Sequence, residues 1–364
     1  MPDRISPGLV ESFGTDPMVD DGHPERLPAR ALDDRSRAGI IAAAAKMRDR
    51  HGWQDAARGF LVERTWVKTS SQNVFHLLTT IPGGEQIVLK IEASAGAEDA
   101  RALHDAMSNL VEVLEGAAEA TTGLQPIGWL ETPPMVATQY VEGVDLVDIL
   151  QDASHAAWQH DDTILGVANA AGAALAVFHR SVVPGRHSDH PRTTDSTKRL
   201  SRRLVLPPAT TSILATEAGR ASAMGRRYGD FGPGNIRLST SGNVYVLDPP
   251  TKTTSSLVHR DIAYFEFQVK KNLAGRGTAK SSDSNSYIEG QLRTAFLTGY
   301  GTESSFDPNR DQARALVAAY QAAYAVGMAR KRVRQRRWQD ASWAIASAAS
   351  LRREAVRAAN RARS

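Results

Sequence analysis

Between Phe60 and Glu92 the chain is patterned for β-structure. Phe60-Leu61-Val62, Val74 to Ile81 and Gln86 to Ile91 are rich in branched and aromatic residues. Pro82-Gly83-Gly84 predicts a hairpin turn between the last two. An Ala-rich helix is expected before them, over 38–50. The apolar period then lengthens: Leu103, Met107, Leu110, Val111 and Leu114 fall at helical spacing and predict a helix over 97–114. Strand-like residues return at 126–130 and 136–141. Beyond Gly143 the pattern is mostly helical. Ile164, Val167, Ala171, Leu175 and Phe178 mark a core helix ending near His179. Residues 184–200, rich in Pro, Ser, Thr, His and Arg, predict a loop. One hairpin is expected over 235–248, and helices resume from about 286, with Leu316, Tyr320 and Tyr324 on one buried face. No internal repeat is found.

Strands first and helices afterwards predict an α+β chain of two lobes, a small antiparallel β-rich N-terminal lobe and a larger, mostly helical C-terminal lobe. The expected boundaries are a mobile arm over 1–37, an N-terminal lobe over 38–141, a C-terminal lobe over 142–329 and a basic helical tail over 330–364. The length of 364 residues is enough for two packed lobes. The chain has no cysteine, which excludes disulfides and thiolate zinc sites. The first thirty residues lack an apolar core of signal-peptide type, and the run Leu165 to Phe178 reads as too short to span a bilayer, so a cytoplasmic protein is expected. The net charge of +4 is uneven: residues 330–364 hold eleven Lys or Arg against Asp340 and Glu354.

The stretch richest in chemistry is Tyr228-Gly229-Asp230-Phe231-Gly232-Pro233-Gly234-Asn235, followed by Ile236 to Leu238, Ser241-Gly242 and Val244 to Asp248. Folding the hairpin about the bond between Ser241 and Gly242 sets Asn235 opposite Asp248, with Asp230 in the preceding loop. Mg²⁺ takes hard oxygen ligands, so an Asn and an Asp beside phosphates suit it. A further carboxylate can orient and deprotonate an attacking hydroxyl. Taken alone, the same residues also read as an ordinary surface loop, since Asp and Gly crowd turns.

Gly229-Asp230, then Asn235, then Asp248 thirteen positions later resemble the catalytic loop and metal-binding Asp of the aminoglycoside phosphotransferase and choline kinase families. The resemblance covers about residues 60–325 and implies a two-lobed, protein-kinase-like fold that uses ATP and Mg²⁺. It implies Asp230 as catalytic base and Asn235 and Asp248 as Mg²⁺ ligands. Tyr228 stands where the family most often has His, and Pro249-Pro250 replaces its usual continuation. These departures motivate an alternative, a non-catalytic nucleotide-binding regulator of the same fold.

Lys90, flanked by Leu89 and Ile91 on the opposite strand face, resembles the lysine that kinase-like folds set on the nucleotide α- and β-phosphates. The other reading is a solvated edge-strand lysine. Its helical partner is expected to be Glu98, or failing that Asp105. Ser70 and Ser71 lie where these families place a phosphate-covering loop, though a plain turn is an equal reading. Gln139 to Gly143, with Gln139 and Val141 at the main-chain contacts, resembles the connector that meets the adenine. The helix ending in Phe178-His179 and the segment His259 to Phe265 also match, with a structural role for Asp261.

The default for the basic end is a solvated helical terminus. Weak contact with an anionic membrane surface is a second reading, given Trp338 and Trp343 near the arginines. Nucleic acid is a third, without a recognised binding module. A separate class, a tethering protein acting through this tail, would lose its activity on deletion of 330–364. The expected partner is a small-molecule hydroxyl acceptor. A sugar, glycoside or glycan precursor is favoured over a polycationic aminoglycoside, which needs an acidic pocket.

Overall fold

The computed structural model describes residues 34–52, 59–68, 73–81, 84–91, 97–115, 121–151, 162–181, 190–274 and 282–364. Most of the expected arm over 1–37 lies outside these residues, as do Ser70 and Ser71. The architecture is α+β, with two compact units: one antiparallel and sheet-rich, the other mostly helical.

The first unit opens with α1 (Asp34–His51), then β1 (Gly59–Lys68), β2 (Asn73–Ile81), β3 (Gln86–Ile91) and α2 (Ala97–Leu114). It continues through β4 (Thr121–Gly123), β5 (Pro126–Glu131), β6 (Pro134–Gln139) and β7 (Gly143–Asp145). Five strands form one sheet in the order β1-β2-β3-β6-β5, with every described pairing antiparallel. Alternation assigns its faces. Leu78, Leu89, Met135 and Ala137 pack with Ile40, Ala44 and Met47 of α1. Val136, one residue out of phase, packs with Ala100, Leu103 and Met107 of α2. Burying two helices on opposite faces fixes the register, because a one-residue slip would exchange the faces.

The second unit begins with α3 (Leu146–Gln151), α4 (Asp162–Arg180), α5 (His190–Leu204), α6 (Pro208–Ala218) and β8 (Met224–Arg226). After it come β9 (Ile236–Ser239), β10 (Val244–Val246) and β11 (Ser255–Leu257), then α7 (His259–Ala274), α8 (Ser282–Thr302), α9 (Asp311–Arg334) and α10 (Trp338–Arg361). The segment 237–252, with most of β9 and all of β10, clusters with the first unit; β9 and β10 share a small sheet in the order β4-β10-β9-β7.

Three expectations are corrected. The loop expected over 184–200 is, from His190 onward, the helix α5. The run Leu165 to Phe178, read as too short to cross a bilayer, belongs to a helix of 19 residues that is long and apolar enough by composition alone. Val167, Ala171, Leu175 and Phe178 are buried, so α4 is a core helix of its unit. The boundary drawn between 329 and 330 falls inside α9, and α10 packs back along α9 within the same unit.

Candidate active site

In the first unit the chemistry centres on Lys90. Strand β3 pairs Lys90 with Phe75 on one side and Val136 on the other. Leu89 faces α1, so alternation turns Lys90 to the opposite face, where it is 9% exposed. An ammonium buried this far needs an anion. It has one: Nζ donates to Asp248 Oδ1 at 2.8 Å. Asp248 follows β10 with a left-handed backbone, φ 52°. A non-glycine residue held there costs about 1 kcal/mol or more, and such residues gather at functional sites.

The partner expected for Lys90 on α2 is corrected. Glu98 is exposed in the first turn of α2 and makes no ion pair among the described residues. It complements the helix dipole there. Asp105 pairs with Arg101 at 3.7 Å instead. In the expected connector, the Gln139 N–H donates to the Gln125 carbonyl at 3.0 Å, and the Val141 carbonyl accepts from Arg237 Nη1 at 3.2 Å. Val141 is buried and Gln139 exposed.

The hairpin register also differs from expectation. The Ser239 N–H donates to the Asn243 carbonyl and the Gly242 N–H to the Ser239 carbonyl, both at 2.9 Å. Gly242 has φ 83°, the left-handed residue of a three-residue hairpin loop. Ser239 therefore pairs with Asn243, which centres the turn on Ser241 and shifts the pairing by one residue. Neither Asn235 nor Asp248 lies within a strand.

In the second unit the loop carrying Asp230 is pinned through its main chain. Asp261, at the start of α7, accepts from the Tyr228 N–H on Oδ2 at 2.7 Å and from the Gly229 N–H on Oδ1 at 2.9 Å. His179, at the end of α4, meets Asp261 Oδ2 through Nε2 at 3.2 Å and the Tyr300 hydroxyl through Nδ1 at 2.8 Å. All three side chains are buried. Burial pushes the Tyr300 phenol well above its usual range, so it stays a donor. The chain is satisfied when Tyr300 donates to Nδ1 and Nε2 donates to the carboxylate. The structural role expected of Asp261 is thus a two-point clamp on the loop. Gly229 has φ 104°, a backbone that side-chain-bearing residues rarely adopt.

Tyr228 is a packing residue. Its buried ring stands edge-on to Phe178 at 5.1 Å and to Phe231 at 5.0 Å. With the backbone anchored and this ring in the core, Asp230 is left exposed. Asn235 closes the short turn Pro233–Asn235, where its Nδ2 donates to the Asp230 carbonyl at 3.2 Å. That bond fixes the amide and leaves Oδ1 as the oxygen able to serve as a ligand. Tyr300 went unread in the sequence, and His179 and Tyr264 were noted only as parts of matching segments, without a contact to this loop. Burial first, and then the negative charge of Asp230, raise the Tyr264 phenol. The spacing of Asp261 and Tyr264, one helical turn apart in α7, is a signal that could have pointed to a shared face.

No family model and no curated protein matches the sequence. Among solved structures, the chain is similar to glucosamine kinase in complex with glucosamine, ADP and inorganic phosphate, with 16% identity and a TM-score of 0.49, covering 88% of this chain and 83% of that one. It is also similar to the GDP complex of aminoglycoside 2'-phosphotransferase-IIIa, with 11% identity and a TM-score of 0.40 over 86% of this chain and 98% of that one. For Plasmodium vivax ethanolamine kinase the values are 9% identity and a TM-score of 0.42, over 81% of each chain.

Proposed function

We propose that this chain is an ATP- and Mg²⁺-dependent phosphotransferase that moves a γ-phosphoryl group to a hydroxyl of a small molecule. The observation that carries the reading is the pair of Lys90 with Asp248 at 2.8 Å, a buried strand cation and a carboxylate on a strained backbone. Both had been singled out for one chemistry, from opposite ends of the kinase-like pattern.

Asp230 accepts the proton of the acceptor hydroxyl as its oxygen bonds to the γ-phosphorus and the bond to the β-phosphate oxygen breaks, releasing ADP. Lys90 neutralises charge on the α- and β-phosphates. Asn235 through Oδ1 and Asp248 through its carboxylate each offer Mg²⁺ a hard oxygen, and this donor chemistry fits the ion. Among the described residues no three acidic or histidine side chains gather to hold a metal, so phosphate and water oxygens would complete its shell. Bound Mg²⁺ supplies charge neutralisation on the phosphoryl oxygens. The clamp from Asp261 holds the loop rigid, so that Asp230 needs little reorganisation.

Tyr228 motivated the non-catalytic alternative. Its ring belongs to the core, and the loop is anchored by main-chain groups that any residue there provides. No observation favours that alternative. For the acceptor we favour an uncharged sugar-like hydroxyl over an aminoglycoside. Arg227 lies close to Gly229, Tyr264 and Gln268 lie close to Gly232, and among the described residues no three acidic or histidine side chains gather as a polycation would require.

The test is Asp230→Asn, assayed with labelled ATP across sugars, amino sugars, aminoglycosides and simple alcohols. The expected result is a kcat lower by roughly a thousandfold with Mg·ATP affinity within about twofold. Full turnover by the variant on a confirmed acceptor would overturn the role of Asp230. Mg·ATP binding by the unaltered chain without transfer to any acceptor would overturn the activity itself.

A further inference from the structure

The turn between α9 and α10 carries groups that phosphoryl transfer does not use. Residues 330–340 hold Arg330, Lys331, Arg332, Arg334, Arg336 and Arg337 against the single acid Asp340. Asp340 is shared by Arg337 at 2.7 Å and Arg332 at 3.6 Å. Arg330, Lys331, Arg334 and Arg336 are exposed and make no ion pair among the described residues.

Apolar groups accompany this charge. Trp338, which opens α10, is 63% exposed, Ile345 58% and Val333 39%. A groove of about 610 Å³ runs between the two helices, lined by Ala329, Val333, Ile345 and Ala348 together with Arg330 and Arg334. Arg336 adds a second signal. It sits just past the end of α9 with φ 58°, where helices usually place glycine. A cation is kept at the tip in a backbone conformation that favours another residue.

Cations alone would suit any polyanion. Cations interleaved with an exposed indole and aliphatic side chains suit a bilayer surface, where arginines reach headgroup phosphates and the indole rests at headgroup depth. We propose that the α9–α10 turn docks on anionic phospholipid membranes, with Arg330, Arg334 and Arg336 against the phosphates and Trp338, Val333 and Ile345 in the interfacial layer. The inference does not depend on the phosphotransferase reading.

Sedimentation of the full chain with phosphatidylcholine vesicles, with and without roughly a third phosphatidylglycerol, tests it; binding should tighten by roughly tenfold or more on the anionic vesicles and fall with salt. Arg336→Gly removes one charge while easing the backbone. Trp338→Ser with Ile345→Ser removes the apolar contact and keeps every charge. Both should weaken vesicle binding by about threefold or more without lowering the melting temperature, because all three side chains are exposed and Arg336→Gly relieves backbone strain. Equal affinity for neutral and anionic vesicles, or no binding to either, overturns the proposal. So does vesicle binding indifferent to Trp338→Ser with Ile345→Ser, alongside equally tight binding of duplex DNA, which would mark the patch as a nucleic-acid contact.

Discussion

His76 stands in β2 with its ring buried and Nδ1 at 2.8 Å from the Thr65 hydroxyl. Burial lowers its pKa from 6.5 to about 4. The unfolded chain therefore takes up this proton near pH 6.5 while the folded chain resists until about pH 4. Stability is full above pH 6.5 and drains as pH falls through that window, by about 2 kcal/mol between pH 7.5 and pH 5. Urea unfolding at the two pH values should show this loss, and His76→Gln should abolish most of the difference. A pH slope unchanged in the variant would show that another group carries it. Lys90 resolves burial differently, keeping a carboxylate at 2.8 Å. Its strand phase was legible in Leu89-Lys90-Ile91. Its partner was not, because Asp248 lies 158 residues away and Glu98 was only the nearest acid on the next helix.

At the scale of elements, α4 and α8 touch backbone to backbone. A Cβ on Gly172 would lie 2.0 Å from the Phe296 carbonyl oxygen, and one on Gly299 would lie 1.9 Å from that of Asn169. Gly172→Ala must force the helices apart, and about 3 kcal/mol of stability should be lost. Gly290→Ala, also in α8 but with open space around it, should instead gain up to about 1 kcal/mol. Denaturation midpoints moving together in the two variants would contradict this contact. Elements with a plain apolar period were readable. α2 was expected over 97–114 and is found there, and α4 ends one residue past His179. α5 was not readable, because hydroxyls fill half of its buried face. Thr197, Leu200, Ser201 and Leu204 keep helical spacing, yet only two of them are apolar. The hairpin around Ser241 was found as an element. Its register was not, since a two-residue loop Ser241-Gly242 and a three-residue loop Thr240-Ser241-Gly242 fit the same sequence, and only the hydrogen bond from the Ser239 N–H to the Asn243 carbonyl decides between them.

At the scale of the whole molecule, the chain's units are not consecutive segments, because 237–252 belongs with the sheet-rich unit. A cut after residue 141 misses this, since strand pairing in the small sheet is a long-range choice. The basic end shows the same limit. Composition sets residues 330–364 apart, whereas packing does not. α10 buries Leu351 together with Ala341, Ala344, Ala355, Ala358 and Ala359, whose small side chains suit its close packing along the Ala-rich α9. Arg361 pairs with Asp311 at 2.8 Å, and Glu354 reaches Arg314 at 3.7 Å, whose guanidinium is forked onto buried Glu266. Arg352 caps a different helix, taking the Leu204 and Val205 carbonyls at 2.8 and 2.6 Å where α5 ends with Val205 at φ 51°. Losing these contacts together costs several kcal/mol, a large share of the ~5–15 kcal/mol that holds a domain folded. Deleting 338–364 should therefore unfold the helical unit rather than trim a tail. Calorimetry should show its transition lost, and limited proteolysis should cut α9 first. A truncated chain that melts and binds Mg·ATP like the full one would return α10 to the status of an appendage.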